Sequence, residues 1–161
     1  MSTYSYTYKK LHDIEWFFQC ERWAIHAVSN AGYIPMKIDR DINIQVQYDM
    51  EEMGNVIESR NDIYINEDYV RYRLELQNNR RDSAFEDYLH GFVRMALKGF
   101  CSYDRDITQR WDDRKYVLIA APLRFIEPRI ELTELIRGED VNFWREPIVY
   151  NDKVFENWCF R

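Results

Sequence analysis

Glycine, proline and cysteine are all scarce in this chain of 161 residues, which contains five glycines, four prolines and three cysteines. So few glycines exclude a collagen-like protein, and so few cysteines exclude a small domain held together by disulfides. Long hydrophobic runs are also missing: the longest, from Tyr116 to Leu123, is far shorter than the roughly 20 residues that span a bilayer. Because 46% of the residues are hydrophobic, a disordered chain is excluded as well.

Targeting signals are missing from the N-terminal sequence MSTYSYTYKK, which has no basic stretch followed by an apolar one. Cys20, Cys101 and Cys159 are odd in number, widely spaced and without a CxxC pair. Such a pattern is typical of buried thiols in a reducing compartment. The sequence therefore predicts no membrane association and a cytoplasmic protein, or one inside a virion if the chain comes from a phage.

Acidic residues outnumber Lys and Arg by 28 to 22, which gives a formal net charge of −6. Nucleic acid is therefore not an expected partner, because its binding depends on neutralising phosphates with basic side chains. The sequence contains no GxGxxG, GxxxxGK[ST], GxSxG or HExxH motif. We accordingly predict no cofactor.

Hydrophobic periodicity predicts a single α+β domain over residues 1–161, with two main helices packed on a mostly antiparallel β-sheet. Residues 1–8 form a short aromatic arm ahead of it. The first helix is predicted from Leu11 to Ser29. The second is predicted to begin at Ser83, which has the spacing of a capping box with Glu86, and to stop at Gly99.

Strands are predicted where hydrophobic and polar residues alternate or where an apolar run is short. The predicted strand segments are Ile34–Tyr48 with a turn at Asp39–Asp41, Ile63–Ile65, Val70–Gln77 and a buried strand at Tyr116–Leu123. Residues 101–114 are predicted to be a polar connection. A closing hairpin is predicted around Asn151–Lys153.

Aromatic residues make up 16% of the chain, more than two helices and one sheet need for their core. On the predicted first helix, Trp16 and Trp23 lie on a second apolar face, opposite the one that packs on the sheet. Tyr4, Tyr6 and Tyr8 alternate in the arm, which suits an added edge strand. Since Trp and Tyr anchor protein interfaces, these five are the predicted contact residues. The alternative is that the aromatic residues simply fill the core.

The first functional hypothesis is a non-catalytic interaction or assembly protein. It would be a homo-oligomer, or a stoichiometric binder or inhibitor of another protein. Small acidic chains of this kind occur among assembly factors, inhibitors and immunity proteins of phages and mobile elements, an analogy at the level of the fold alone.

A metal-dependent phosphodiesterase or nuclease is the first alternative. Asp104, Asp106, Asp112 and Asp113 supply oxygen ligands of the kind that Mg²⁺ prefers, and Lys115 is placed to stabilise an anionic transition state. Interleaved arginines favour a solvated loop in which opposite charges neutralise each other. The leading hypothesis therefore includes no metal and no catalytic residue.

An anion or nucleic-acid binder is the second alternative, based on Arg71, Arg73, Arg80 and Arg81. Arg71 and Arg73 share a face of the predicted strand, and the other two follow its turn, so the four could form one basic patch. Pairing with neighbouring acidic residues is the simpler explanation.

The three histidines are predicted to be solvated residues on helices. His12 and His26 lie 14 residues apart on the predicted first helix, or about 21 Å at 1.5 Å per residue. They therefore cannot share one metal. His90 falls on the polar side of the second helix.

Overall fold

The computed structural model describes residues 1–20, 22–32, 34–107 and 116–135. Within these ranges the chain forms four α-helices, five β-strands and one 3-10 turn. In chain order they are α1 (Tyr6–Leu11), β1 (Glu15–Cys20), β2 (Trp23–Val28), α2 (Arg40–Glu52), the 3-10 turn (Arg60–Asp62), β3 (Ile63–Ile65), α3 (Glu67–Leu76), α4 (Ala84–Leu97), β4 (Cys101–Arg105) and β5 (Tyr116–Pro122). The predicted α+β fold class is confirmed.

The five strands form one mixed sheet in the order β1-β2-β4-β5-β3. Three of the four strand pairs are antiparallel, and β2 pairs with β4 in parallel. Helix α4 packs on β3, β4 and β5, α3 packs on β5 and α4, and α2 packs on β1. The mostly antiparallel sheet is therefore confirmed, but it carries three packed helices instead of two.

The predicted first helix at Leu11–Ser29 is wrong, because this segment is the β1–β2 hairpin. Its register pairs Glu15 with Val28 and Cys20 with Trp23. The hairpin is buried on both sides of the sheet: Trp16, Phe18 and Cys20 pack in one core cluster, and Phe17 and Ala24 pack in another. A strand buried on both sides is apolar at successive positions, so its sequence lacks the alternation that marks a half-buried strand.

Trp16 and Trp23 are 0% and 5% exposed, so the prediction that they face a partner is wrong. The Trp16 ring stacks on Phe18 at 5.0 Å between centroids, and its Nε1 donates a hydrogen bond of 3.3 Å to the Tyr116 hydroxyl. Trp23 packs edge-on against Phe125 at 5.1 Å. For these two indoles, the alternative that aromatic residues fill the core is the correct one.

The N-terminal tyrosines do not form an edge strand. Tyr6 and Tyr8 lie on α1 and are 74% and 44% exposed. Tyr4 precedes this helix and is half-buried against the core. Ser5 caps α1 by accepting a hydrogen bond from the Tyr8 N–H. The last residues of the arm therefore begin a short capped helix.

The strand predicted at Ile34–Tyr48 is also wrong, because most of it belongs to α2. Asp39 caps this helix by accepting hydrogen bonds from the N–H groups of Asp41 and Ile42 at 2.9 and 3.1 Å. The buried positions Asn43, Val46 and Met50 follow helical spacing. The apolar residues at even positions that suggested a strand include exposed ones: Ile42, Ile44 and Tyr48 point to solvent.

The strand predicted at Val70–Gln77 is replaced by α3. Asn66 caps the helix by accepting from the Tyr69 N–H, and Glu67 and Asp68 occupy its first turn, where the helix dipole favours acids. Tyr69, Val70, Arg73 and Leu74 are its buried residues. Their i, i+1, i+4 and i+5 spacing defines a helix face.

Other predicted elements are confirmed: β3 at Ile63–Ile65, the buried strand β5, and the second helix as α4. Gly99 ends α4 with φ +99°, and a Cβ there would lie 3.0 Å from Ile126 Cγ2.

The predicted capping box is wrong, because the Ser83 hydroxyl donates to Asp87 at 2.9 Å and accepts no backbone N–H. Strand β4 replaces the start of the predicted polar connection at 101–114. The hairpin predicted around Asn151–Lys153 lies outside the described residues.

Strand β1 is at the edge of the sheet, and the side-chain amide of Asn43 occupies part of its free edge. The Phe17 N–H donates to Asn43 Oδ1 at 3.0 Å. Asn43 Nδ2 donates to the Glu15 carbonyl and to the Tyr4 hydroxyl, each at 2.9 Å. Asn43 thus pairs with the backbone much as a neighbouring strand would, and it joins α2, the arm and the sheet.

We expect Asn43→Ala to lower the free energy of unfolding by about 1–3 kcal/mol, because it removes the partner of the buried Phe17 N–H and of the partly buried Glu15 carbonyl. Urea denaturation followed by circular dichroism would measure the change. Gln45→Ala is the matched control on the exposed side of α2, where we expect a change within about 0.5 kcal/mol. Equal losses in both variants would contradict this role of Asn43.

Candidate functional site

A cavity of about 470 Å³ lies between the sheet and the helices α3 and α4. Its polar lining includes Asp13, Glu15, His26, Arg73, Tyr88 and Asp104. An open cavity with several convergent ionisable groups is the feature by which binding and active sites are usually recognised. We refer to it as the carboxylate cavity.

Strand register explains why these side chains meet. In the parallel pair, His26 of β2 lies beside Ser102 of β4, and Val28 lies beside Asp104. In the hairpin, Glu15 of β1 lies opposite Val28. Paired residues share a face of the sheet, so Glu15 and Asp104 form one row across three strands. The cavity lies at the carboxyl ends of β2 and β4, the end of parallel strands where ligands commonly bind.

A chain of hydrogen bonds runs from the core to the cavity. Ser102 Oγ and His26 Nδ1 are 2.6 Å apart, and His26 Nε2 lies 2.9 Å from Glu15 Oε1. Gln47 Nε2 donates to the second carboxylate oxygen of Glu15 at 3.0 Å. Since an ionised carboxylate only accepts, His26 Nε2 is the donor to Glu15.

Glu15 is the end of this chain that a ligand can reach. Its side chain is 39% exposed, whereas that of His26 is 1% exposed and Ser102 is completely buried. The order hydroxyl, imidazole, carboxylate is that of a nucleophilic triad, but here the hydroxyl is inaccessible. The hydrogen bond from His26 lowers the pKa of Glu15, so this carboxylate is ionised at neutral pH.

Asp104 is buried on the other side of the cavity, where three donors meet its carboxylate. Arg73 Nη1 lies 3.1 Å from Oδ2, the Tyr88 hydroxyl donates to the same oxygen at 2.5 Å, and Asn30 Nδ2 donates to Oδ1. Burial nevertheless raises the pKa of Asp104 to about 6, because desolvation outweighs the attraction of Arg73. Its contribution to folding stability is therefore fully present below the ordinary value of 3.8 and is lost as pH rises through about 6.

Arg73 also joins α3 to β4. Its Nη1 donates to the Arg105 carbonyl at 3.0 Å and to the Tyr69 hydroxyl at 3.3 Å. The Tyr69 hydroxyl in turn donates to Asp106 Oδ1 at 3.0 Å. Burial raises the pKa of Tyr69 above its usual range, so the phenol stays neutral and remains a donor.

The predicted metal site is brought together only in part. Asp104 and Asp106 are both buried at the end of β4 and are hydrogen-bonded to protein side chains. Asp112, Asp113 and Lys115 lie outside the described residues. Within the ranges that the structure describes, no three His, Cys, Asp or Glu residues are placed to hold a metal ion. The metal-dependent alternative stays a prediction.

The four predicted anion-binding arginines do not form one patch. Because α3 is a helix and not a strand, Arg71 and Arg73 point in different directions: Arg73 is buried beside Asp104, and Arg71 is exposed. Arg71 instead lines a second cavity together with Arg80 and Arg81.

The histidine predictions were wrong for His26, which is buried in β2. No local signal in the sequence marks it, because its role follows from pairing with Ser102, 76 residues further along the chain. His90 is exposed on α4 as predicted, and His12 is exposed just after α1.

Fold and site together define an α+β protein with a polar cavity beside a parallel strand pair. Comparison with family models, curated proteins and solved structures found no match. Among α1 to α4, the helices of the described ranges, none combines the length and the apolar character that crossing a membrane requires.

We expect Tyr88→Phe to raise the pKa of Asp104 further above about 6, because the hydroxyl stabilises the ionised carboxylate. A ¹³C NMR titration of the aspartate carboxyl resonances would measure the shift. Tyr72→Phe, which removes an exposed hydroxyl from α3, is the control and should leave the midpoint unchanged. An identical Asp104 titration in Tyr88→Phe would contradict the described hydrogen bond.

Proposed function

We propose that the protein is an acid–base hydrolase that acts on a small hydroxyl-rich molecule, such as a glycoside, in the carboxylate cavity. The observation that carries the proposal is the row across β1, β2 and β4 that directs Glu15 and Asp104 into one cavity. Glu15 is the ionised carboxylate, and Asp104 is the carboxyl group that takes up a proton as pH falls below about 6.

The environments of the two carboxyl groups support this division of roles. A hydrogen bond from His26 lowers the pKa of Glu15, and burial raises the pKa of Asp104 to about 6. Two carboxyl groups whose environments push their pKa values apart are the usual acid and base of such sites. Cleavage of a glycosidic bond uses one protonated and one ionised carboxyl group in this way.

The size and lining of the cavity support a small polar substrate. Its volume of about 470 Å³ falls within the usual range for small-molecule sites. Tyr88 and Phe92 add an aromatic wall, with ring centroids 5.2 Å apart. Asp13, Glu15 and Asp104 outnumber the single arginine of the lining, and Arg73 is already paired with Asp104. The site therefore favours neutral or cationic molecules over anions.

His26 is a positioning residue in this proposal. Both of its ring nitrogens are bonded to protein groups, so it meets no substrate directly. It holds the Glu15 carboxylate in one orientation and keeps it ionised.

The probes are 4-nitrophenyl glycosides of neutral sugars and of amino sugars. We expect Glu15→Gln to lower kcat for their hydrolysis by at least about 100-fold, which is the usual contribution of a group in acid–base catalysis. Turnover by the unaltered protein should decrease as pH rises through about 6, because Asp104 loses its proton there. Glu52→Gln, on the exposed end of α2, is the matched control and should leave turnover unchanged. Absence of turnover with every probe, or equal rates in Glu15→Gln and the unaltered protein, would contradict the proposal.

Association with another protein or a second copy remains the second proposal, on a different surface. With Trp16 and Trp23 enclosed, the observation that favours it is the exposure of Ile44 and Tyr48, four residues apart on α2 and 43% and 68% exposed. Tyr6 of α1 is exposed as well. Large apolar side chains that share an exposed helix face are suited to an interface.

If the protein self-associates through α2, Tyr48→Glu should reduce the oligomeric mass measured by light scattering, because it places a charge on the apolar face. Tyr72→Glu, an equivalent change on α3, is the control and should leave the mass unaltered. A protein that is monomeric before any substitution would exclude self-association.

A further inference from the structure

A second cavity, of about 320 Å³, lies on the outer side of α3, where the chain turns into α4. Arg71, Arg80 and Arg81 line it together with Glu75, Asp82 and Phe85. None of its lining residues lines the carboxylate cavity. We refer to it as the arginine cavity.

The turn after α3 brings the arginines together. Asn78 has φ +53°, the left-handed conformation in which asparagine is well tolerated. Asn79 N–H donates to the Leu74 carbonyl at 3.0 Å, which closes the end of the helix. The chain therefore reverses immediately after α3, so Arg80 and Arg81 return to the side of the helix that carries Arg71.

Arg71 is held in place without using its hydrogen-bonding edge. Its guanidinium lies over the Phe85 ring, with Cζ 4.5 Å from the ring centroid. Stacking of this kind uses the flat face of the guanidinium. The N–H groups at its edge remain directed along the plane, where an anion can accept from two of them at once.

Arg81 is only weakly committed to protein groups. Its Nη2 lies 3.7 Å from Asp87 Oδ2, and the two side chains are 66% and 56% exposed. Its Nε is 3.4 Å from Asn79 Oδ1. Exposed ion pairs of this length contribute little free energy, so an anion of higher charge can compete for this guanidinium.

Arginine is concentrated at this cavity although the chain as a whole is acidic. Three guanidinium groups line the cavity against the carboxylates of Glu75 and Asp82, and Asp87 lies 3.7 Å from Arg81 beside it. Ala84 and Phe85 also place the first turn of α4 beside the cavity. The positive end of the helix dipole lies there, together with the acidic residues Glu86 and Asp87 of the same turn.

We propose that the arginine cavity binds the phosphate group of a small molecule, a phosphomonoester or a diphosphate. Arginine forks match phosphate oxygens in charge and geometry. A cavity of this volume suits a small ligand, and the net negative charge of the chain opposes a polynucleotide. The proposal is independent of the reaction proposed for the carboxylate cavity.

Titration calorimetry with pyrophosphate as the probe, at pH 7 and low salt, would test this site. We expect measurable binding to the unaltered protein and an affinity at least about tenfold weaker in the double variant Arg71→Gln/Arg80→Gln, because two charge-assisted contacts are lost. The matched control is Arg124→Gln/Arg129→Gln, which removes the same charge from exposed positions elsewhere. It should keep the affinity within about twofold, since exposed charges at a distance are largely screened.

Three results would overturn the proposal: no pyrophosphate binding, equal losses in the two double variants, or tighter binding of a ten-nucleotide single strand than of pyrophosphate. NMR of the arginine Nε resonances in the unaltered protein gives a second measurement that needs no variant. Pyrophosphate should shift the Arg71 and Arg80 signals, and unshifted signals under saturating probe would also overturn the proposal.

Discussion

The parallel pairing of β2 with β4 is the interaction on which the rest of the structure depends. It joins the N-terminal hairpin to the strands β3, β4 and β5, with Ile25 beside Cys101 and Val28 beside Asp104. The same register places His26 next to Ser102 and sets the carboxylate of Glu15 two strands away from Asp104. Without this pairing, neither the hydrogen-bonded chain nor the carboxylate cavity could form.

The buried ion pair of Arg73 with Asp104 is a costly feature that the structure compensates for locally. Both side chains are at most 5% exposed, so above about pH 6, where Asp104 is ionised, both charges have lost most of their hydration. Tyr88, Asn30 and the Arg105 carbonyl supply the additional hydrogen bonds. A purely structural contact between α3 and the sheet could be made by apolar residues of similar volume. The retention of charge beside a cavity therefore supports a functional use of this site.

Helix α3 separates two sites of opposite character. Its inner side carries Arg73, neutralised within an acidic cavity, and its outer side carries Arg71 beside Arg80 and Arg81. A strand would have placed Arg71 and Arg73 on the same face, whereas successive helical residues turn through about 100°. This helical geometry places the two proposed binding sites on opposite sides of α3.

Local sequence patterns determined the α+β class, helix α4 with its stop at Gly99, and the strands β3 and β5. They also drew attention to Asp104 and to the arginines of α3. The hairpin lacks the alternation of a half-buried strand because both of its sides are buried. The sequences of α2 and α3 resemble strands because their exposed faces carry apolar residues such as Tyr48 and Leu76. Only the tertiary structure decided that His26 contacts Ser102 and that Arg73 contacts Asp104. These contacts depend on strand register and on the docking of α3. Both are set by residues far apart in the chain, so no local sequence pattern predicts them.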